Sequence, residues 1–319
     1  MRLGFSVKVI GQAGLKEHDS RRWQNNPHLS VSLAYLRDIF EYLRREGIAM
    51  YRMSSELAPY LTHPELSQFH GQLDDCAAEL AAMGQLAREI GLRLSCHPSQ
   101  YVVLNAPDEA LAAKSALELA TQAELLDRMG LDDEAVVVVH VGGIYEGREQ
   151  ARQRFVAAFE QLPEPARRRL ALENDDTRFG VADTLWIHQQ TGVRLVFDNL
   201  HHHCFNPQRM PLREALAACL ATWPAGVRPK VHFSSPRTEM RIAEQQDPAT
   251  GRRVQLLQPP LWTRHSDYIH PFEFIAFLRE AAGLPPFDVM LEAKAKDLAL
   301  LRLREDVQRY APELAGGIW

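Results

Sequence analysis

The sequence has few cysteines and no long apolar segment. Its four cysteines, among 319 residues, form no CxxC pair. Such sparse cysteines are typical of a reducing compartment, so we expect a cytoplasmic protein without a disulfide framework. Uninterrupted apolar runs such as Ala135–Val139 are far shorter than the roughly 20 residues of a membrane helix. The N-terminus also lacks the apolar region of a signal peptide, so we expect no membrane association.

The chain also lacks the excess of basic residues that would by itself indicate nucleic acid binding. It carries 36 Lys and Arg against 41 Asp and Glu, a net charge of −5. This argument is weak, because a carboxylate-rich metal site lowers the net charge where bound cations would restore it. Hydrophobic residues make up 46% and charged residues 24%, which excludes a disordered, collagen-like or coiled-coil chain. Without a repeat or linker, residues 1–319 are predicted to form a single domain that needs no partner to fold, hence a monomer.

Short β-branched runs alternate with longer helical stretches along the chain. Eight of each in strict alternation favour an α/β fold, a (β/α)8 TIM barrel, over the alternative of a doubly wound open sheet. Four glycines each follow a predicted helix, where a left-handed cap is expected: Gly47, Gly91, Gly130 and Gly192. The predicted strands are Leu3–Val9, Ile48–Met53, Leu92–His97, Val136–His140, Leu170–Glu173, Arg194–Asp198, Lys230–Phe233 and Asp288–Glu292. The predicted helices are Leu29–Glu46, Leu73–Ile90, Asp108–Met129, Gln150–Gln161, Val181–Gln190, Leu212–Ala221, Pro271–Ala282 and Ala295–Tyr310.

Six consecutive predicted strands carry a residue that can bind a metal at their last or next-to-last position. Active sites of barrels lie at the C-terminal ends of the strands, so these side chains would meet. Any one of them could be an ordinary hydrogen-bonded strand end, but six together would be clustered charge without a partner. Imidazole and carboxylate ligands without thiolate indicate Mn²⁺, Zn²⁺ or Mg²⁺. The six residues are His97, His140, Glu173, Asp198, His232 and Glu292.

Three further segments are candidates for the site. His201, in the His201–His203 run after Asp198, is a possible additional ligand, although at most one or two of the three histidines can be ligands because consecutive side chains diverge. The stretch Arg228–Arg264 has seven basic against three acidic residues, a net of +4, which suits DNA but also an ordinary solvated loop. Gln100 and Tyr101 follow the ligand His97 and could pack between bases, or Tyr101 could simply pack against the protein.

Several short motifs together resemble the UV damage endonuclease family, from about residue 2 to residue 296. Members of this family have a TIM barrel related to endonuclease IV. The motifs are Arg2-Leu3-Gly4, His63-Pro64, His97-Pro98-Ser99-Gln100-Tyr101, His140-Val141-Gly142-Gly143, Leu172-Glu173-Asn174-Asp175, Asp198-Asn199-Leu200-His201-His202, Lys230-Val231-His232 and Glu292-Ala293-Lys294.

The resemblance implies an activity on damaged duplex DNA. Family members cut immediately 5′ to cyclobutane dimers, 6-4 photoproducts and some other lesions, which we expect to include abasic sites, in the first step of excision repair. The resemblance implies up to three ions, usually Mn²⁺. Glu173 would bridge an ion on His97 and His140 to one on Asp198, His232 and Glu292, and His201 and His265 would bind a third. Lys230, which can be carboxylated, and His63 match further active-site residues.

The same resemblance implies DNA contacts. Gln100 and Tyr101 match the pair that wedges into the duplex while the damaged dinucleotide is flipped out. Phe5 occupies a position where relatives tend to carry a DNA-contacting tyrosine, and Val7 and Val9 replace polar residues nearby, so we expect Phe5 at the DNA interface with an altered lesion preference. Two alternatives stay open: another metal-dependent barrel enzyme, such as an abasic-site endonuclease or a sugar isomerase, and a damage-binding module without catalysis.

Overall fold

Eight parallel strands close into a barrel in the computed structural model, which describes residues 1–318. Going round the barrel, β1 to β7 follow chain order and β12 closes the ring between β7 and β1. The predicted TIM barrel is therefore confirmed, and the open sheet is excluded. The barrel strands are β1 (Leu3–Ser6), β2 (Met50–Arg52), β3 (Arg93–Cys96), β4 (Val136–His140), β5 (Leu170–Glu173), β6 (Arg194–Asp198), β7 (Lys230–Phe233) and β12 (Asp288–Leu291).

Helices surround the barrel, and all eight predicted helical stretches are present. The left-handed caps are confirmed as well: Gly47, Gly91, Gly130 and Gly192 have φ of 63°, 64°, 63° and 72°. The helices are α1 (Leu29–Arg45), α2 (Gln72–Asp75), α3 (Ala77–Glu89), α4 (Glu109–Arg128), α5 (Arg148–Glu160), α6 (Glu164–Arg169), α7 (Val181–Thr191), α8 (Asn199–Cys204), α9 (Leu212–Leu220), α10 (Pro271–Glu280), α11 (Lys296–Tyr310) and α12 (Pro312–Ala315).

Two predicted elements differ from the structure by more than one or two residues at an end. The first strand stops at Ser6 instead of Val9, because Val7 adopts a left-handed backbone with φ of 65°, which no strand tolerates. The predicted helix Leu73–Ile90 is divided at Cys76 into α2 and α3. Neither the turn at Val7 nor the break at Cys76 interrupts the apolar pattern, so periodicity alone predicts one longer element in each case.

The segment between β7 and α10 forms two small sheets. In the first, β9 (Arg241–Gln246) pairs antiparallel with β10 (Arg253–Gln258), and we call these residues, 241–258, the hairpin. In the second, β8 (Pro236–Arg237) pairs with β11 (Leu261–His265), which brings His265 back to the barrel. The insertion therefore stands at the C-terminal face of the barrel, where β7 ends.

The main hydrophobic core lies between the strands and the surrounding helices. At the N-terminal end of the barrel, the buried guanidinium of Arg93 donates to Asp288 Oδ2 at 2.9 Å. At the opposite, C-terminal end of the barrel, polar side chains line an open cavity. Among residues 1–318, no helix is both long and apolar enough to span a bilayer.

Candidate metal centre and active site

A cavity of about 490 Å³ opens at the C-terminal ends of the barrel strands. Its walls include five of the predicted metal ligands, one each directly after β3, at the end of β4, in α8, at the end of β11 and directly after β12. Gly142, with φ of 116°, also lines it, and a Cβ there would lie 2.3 Å from Asn105 Oδ1, so this turn requires glycine. The five ligands are His97, His140, His201, His265 and Glu292.

Strand register brings the remaining ligands together beneath this cavity. His140 is paired with Glu173 across β4 and β5, and Asp198 is paired with His232 across β6 and β7. Paired residues of neighbouring parallel strands point to the same side of the sheet, so both pairs meet at one level of the barrel. All six strand-end residues singled out in the sequence thus meet at one site.

Glu173 lies at the centre of this cluster. Its Oε2 is 3.2 Å from His97 Nε2 and 3.7 Å from His140 Nε2. Its Oε1 is 2.8 Å from His232 Nδ1, and that nitrogen is 3.4 Å from Glu292 Oε1. Glu173 therefore belongs to two groups whose ligand atoms all lie within 4.8 Å of one another. The groups are His97, His140 and Glu173, and Glu173, Asp198, His232 and Glu292.

The donor atoms fit divalent cations. Asp198 Oδ1 accepts from the backbone N–H of His201 at 2.7 Å, whereas Asp198 Oδ2 is buried and has no hydrogen-bond partner among residues 1–318. A buried carboxylate oxygen without a partner is costly unless a cation binds it. Carboxylate and imidazole donors without thiolate suit Mn²⁺, Zn²⁺ or Mg²⁺.

Charges within the cluster are strongly coupled. Burial raises the pKa of Glu173, but the imidazoles of His232 and His140 outweigh burial and hold this pKa well below its ordinary value. Burial likewise opposes the ionised form of Glu292, and the guanidinium of Arg52 outweighs it and lowers the pKa of Glu292 well below the ordinary value. Both carboxyl groups are therefore anionic and ready to bind cations.

Asp198 and His201 have pKa values raised in the metal-free cluster. Burial raises the pKa of Asp198 to about 8. Burial disfavours the charged form of His201, but the carboxylates of Asp198 and Glu173 prevail and raise its pKa to about 9. His201 Nδ1 lies 2.9 Å from the carbonyl oxygen of Asn174, so Nδ1 donates there and Nε2 is left for a ligand.

His265 approaches the cluster from the inserted segment. Its Nε2 lies 3.8 Å from Glu292 Oε2, and its ring centroid is 6.2 Å from that of His201. The two other histidines beside His201 are directed elsewhere. His202 Nε2 is 3.0 Å from the carbonyl oxygen of Met210, and His203 is exposed. Only His201 of the three contacts the carboxylates, in line with the expectation that the run supplies at most one or two ligands.

Lys230 is buried beside the cluster. Its Nζ is fully enclosed and has no hydrogen-bond partner among residues 1–318. Burial, together with the nearby Arg52 and Arg93 guanidinium groups, lowers the pKa of Lys230 well below its ordinary value. This shift favours the neutral amine, which is the state that carboxylation requires.

Gln100 and Tyr101 follow the metal-ligand candidate His97 in the chain. Gln100 lines the cavity at the C-terminal ends of the barrel strands, and Tyr101 is 76% exposed. The reading in which Tyr101 merely packs against the protein does not fit this exposure. Cys96, just before His97, is buried, and burial raises the pKa of its thiol to about 12, in agreement with a core role.

Phe5 does not face the cavity, and its prediction as a DNA contact is wrong. Its side chain is completely buried in the core between strands and helices and packs edge to face on Tyr51 with centroids 5.5 Å apart. Side chains alternate along a strand, so the neighbouring Ser6 points to the inside of the barrel. Burial at this position is sufficient reason for an apolar residue.

His63 lines a neighbouring cavity of about 380 Å³ rather than the metal cluster. This cavity lies on the other side of β3 and is also lined by Cys96 and Ser54. His63 Nδ1 accepts from the backbone N–H of Glu65 at 3.2 Å. Within residues 1–318, no hydrogen bond or ion pair joins His63 to the cluster.

Two residues of the site escaped the sequence analysis. Arg52, at the end of β2, donates to Glu292 and lies 3.0 Å from His232 Nε2. The expected strand ran on to Met53, which concealed Arg52 as a strand-end residue. Lys296, four residues after Glu292, also lines the cavity. Its position in the loop after the eighth strand could have indicated a role in the site, because barrel enzymes carry functional groups there.

A closed (β/α)8 barrel with two joined metal-ligand groups at its C-terminal face defines a metal-dependent barrel enzyme. A family model described as UV-endonuclease UvdE matches residues 15–313. A UV DNA damage endonuclease of Bacillus velezensis is 33% identical over 307 residues, which cover 94% of this chain and 89% of that protein. The chain belongs to the UV-endonuclease family UvdE, which confirms the resemblance seen in the sequence.

Solved structures agree with this assignment. The crystal structure of SacUVDE matches with a TM-score of 0.80 and 31% identity, over 97% of this chain and 98% of that chain. Endonuclease IV from Thermus thermophilus matches with a TM-score of 0.54 and 17% identity, over 97% of this chain and 100% of that chain. The second likeness concerns the fold alone.

Proposed function

We propose that this protein cuts damaged duplex DNA immediately 5′ to cyclobutane pyrimidine dimers and 6-4 photoproducts, and that it also acts on abasic sites. The cut would leave a 3′-hydroxyl and a 5′-phosphate and initiate excision repair. The observation that carries the proposal is Glu173, which is shared by two metal-ligand groups beneath a cavity that Gln100 lines, next to the exposed Tyr101. Membership of the UvdE family supports the substrate class.

Each ligand has a proposed place in the centre. His97, His140 and Glu173 would bind one ion, Glu173, Asp198, His232 and Glu292 a second, and His201 and His265 a third. We propose Mn²⁺, with Zn²⁺ or Mg²⁺ as possible substitutes. Divalent ions there supply the Lewis acidity that lets water attack phosphorus at neutral pH.

The remaining residues prepare the site for a phosphate. Arg52 keeps Glu292 ionised and in place, because its guanidinium pairs with that carboxylate. Lys230 would be carboxylated or add its amine to charge stabilisation beside the phosphate. His63, in the neighbouring cavity, would contact the substrate from the β2 side rather than bind a metal.

Recognition would depend on the damaged bases being easily unstacked. Gln100 and Tyr101 would enter the duplex as the lesion leaves the stack, since a damaged dinucleotide stacks poorly and is cheaper to flip than intact DNA. Selection by deformability requires no base-edge contacts, so we expect broad lesion tolerance and weak sequence preference. The hairpin, with Arg252 and Arg253 exposed, would bind the phosphate backbone beside the cavity. We propose that the protein acts as a monomer.

The test is nicking of UV-irradiated against unirradiated supercoiled plasmid, with Mn²⁺ and with EDTA. We expect relaxation of the irradiated plasmid alone, and only with metal. A 5′-labelled duplex with one cyclobutane dimer then locates the cut, which should fall immediately 5′ to the dimer. Inertness toward both plasmids by a protein shown to contain metal would contradict the proposal.

A further inference from the structure

Lys296 has a backbone conformation that its residue type does not favour. It begins α11 with φ of 52°, in the left-handed region. A residue with a Cβ is disfavoured there by roughly 1–2 kcal/mol, whereas glycine adopts this conformation freely. Glycine would therefore adopt the backbone conformation at this position with less strain than lysine does. Strain of this kind is concentrated at functional sites, which directs attention to what the lysine side chain does.

The side chain of Lys296 is directed into the cavity of the metal ligands. It lines this cavity together with Glu292 and Lys294. Its Nζ lies 3.0 Å from the hydroxyl oxygen of Ser6, which points to the inside of the barrel from β1. An ammonium group has three N–H donors, and the Ser6 hydroxyl accepts one of them. The other donors are available to a molecule in the cavity.

The ammonium group of Lys296 forms no ion pair with a carboxylate among residues 1–318. Glu292 is the nearby acidic residue, and it is already paired with Arg52. Within residues 1–318, no carboxylate oxygen lies within 4.0 Å of Lys296 Nζ. Burial and the Arg52 guanidinium lower the pKa of Lys296, while Glu292 acts in the opposite direction. An anion entering the cavity would supply the missing partner for this half-buried cation.

We propose that Lys296 is a substrate-contacting residue whose ammonium group donates to a phosphate oxygen of the cut DNA strand inside the cavity. The proposal rests on the proposed function, since that function makes a DNA phosphate the anion that enters this cavity. Ser6 orients the ammonium group, and the left-handed turn at the start of α11 directs the side chain inward. The strained backbone is thus the cost of placing a lysine here.

The test compares Lys296→Gly with Lys296→Arg and with Arg209→Gly. Arg209 is the matched control, because it is also basic and left-handed, with φ of 53°, yet it is exposed and does not line the cavity. Affinity for an irradiated duplex is measured by fluorescence anisotropy in EDTA over a series of salt concentrations. Thermal midpoints and Mn²⁺-dependent nicking are measured on the same proteins.

If Lys296 contacts a phosphate, Lys296→Gly should have opposite effects on thermal stability and on DNA affinity. Lys296→Gly should keep or raise the thermal midpoint, because it relieves backbone strain. It should weaken DNA binding about tenfold at low salt and reduce the slope of log affinity against log salt by about 1, and Lys296→Arg should restore most of the binding. Nicking efficiency, kcat/KM, should fall by about 100-fold in Lys296→Gly. Arg209→Gly should match the wild-type protein in both binding and nicking.

The outcomes separate this inference from the function on which it rests. If the wild-type protein nicks irradiated DNA and Lys296→Gly binds and nicks as well as it does, the inference about Lys296 is wrong and the proposed function stands. The inference is also wrong if Arg209→Gly loses as much DNA affinity as Lys296→Gly. If the wild-type protein neither binds nor nicks irradiated DNA, both proposals are wrong.

Discussion

Glu173 shows how a single carboxylate can organise a metal centre. It is almost completely buried, and an isolated carboxylate in such a place would be protonated. The imidazoles around it outweigh that effect, and each of its two oxygens faces a different group of ligands. Removal of this one negative charge should therefore affect both groups at once, whereas loss of a peripheral ligand should affect only one.

Glu173→Gln tests this role at nearly constant side-chain volume. We expect a lower metal content and a loss of nicking of more than about 100-fold, because an amide oxygen is a much poorer ligand and bridge than a carboxylate. Metal content is measured by atomic emission after gel filtration and nicking on irradiated plasmid. Cys96→Ala is the control, since this buried thiol should bind no metal. Full metal content in Glu173→Gln would contradict the bridging role.

Tyr101 offers a test of recognition that is separate from metal binding. It is 76% exposed, so Tyr101→Ala should change the free energy of unfolding by no more than about 0.5 kcal/mol. Loss of the stacking surface should weaken binding to a dimer-containing duplex by about 1–3 kcal/mol and leave binding to undamaged duplex nearly unchanged. The control is Tyr310→Ala, which replaces an exposed tyrosine at the C-terminal end of α11. Equal losses on both duplexes would contradict a wedge.

At the scale of elements, the barrel was predictable because its strands obey simple rules. β4 is nearly all valine and is buried along its length, so it could be recognised without neighbours. Once the strands are placed, the rule that sites lie at their C-terminal ends brings His97, Glu173 and Asp198 together. The exact strand ends were not fixed by the apolar pattern, so Arg52 is hidden inside an expected strand that runs on to Met53. The expectation for Phe5 comes from the family resemblance, which does not give the direction of a side chain.

The hairpin was not predictable as strands. Its residues form no alternating apolar pattern, because both faces are largely open: Leu256 and Leu257, which lie on opposite faces, are 46% and 64% exposed. A strand without a buried face carries no period-two signal. What the sequence did indicate was a basic insertion after the seventh strand, and the structure places that insertion beside His265 at the cavity.

Deletion of the hairpin tests whether it binds DNA. Arg241 and Gln258 are paired at its base, so residues 242–257 can be replaced by Asn-Gly, which forms a two-residue turn. The barrel should remain folded, since β9 and β10 pair with each other and not with the barrel. DNA affinity should fall about tenfold, and the salt slope by up to about 2, because two exposed arginines are lost.

A charge-only variant distinguishes lost contacts from lost structure. Replacement of Arg252 and Arg253 by Gln keeps the hairpin and should reproduce the change in salt slope. Anisotropy titrations at several salt concentrations measure it for both variants. An unchanged slope in the deletion would show that the insertion makes no phosphate contacts.

At the scale of the whole molecule, the net charge of the chain is a misleading indicator of whether it binds DNA. The net charge of the chain is −5, but three carboxylates, Glu173, Asp198 and Glu292, are gathered where cations fit. The basic residues Lys294, Lys296 and Arg264 line the cavity above that cluster. Divalent ions would reverse the local sign without changing a single residue. Metal loading and DNA binding should therefore be coupled through the same face of the barrel.

Metal loading should also be coupled to protons. In the metal-free protein, burial raises the pKa of Asp198 to about 8, and the pKa of His201 is raised by its carboxylate neighbours to about 9. Near neutral pH the pair retains protons that a cation must displace. Below these pKa values, affinity should thus rise with pH, and above them it should level off.

We expect the affinity for Mn²⁺ to increase about tenfold per pH unit for each proton displaced between about pH 6 and about pH 8. Titration calorimetry in two buffers of different ionisation enthalpy measures both the affinity and the number of protons released. His201→Gln should reduce the slope of log affinity against pH by up to about 1, because it removes one displaced proton. His203→Gln, which changes an exposed neighbour, should leave the slope of log affinity against pH unchanged. A slope of zero in the wild-type protein would mean that the metal-free cluster is already fully deprotonated at neutral pH, contrary to the charge coupling derived from its geometry.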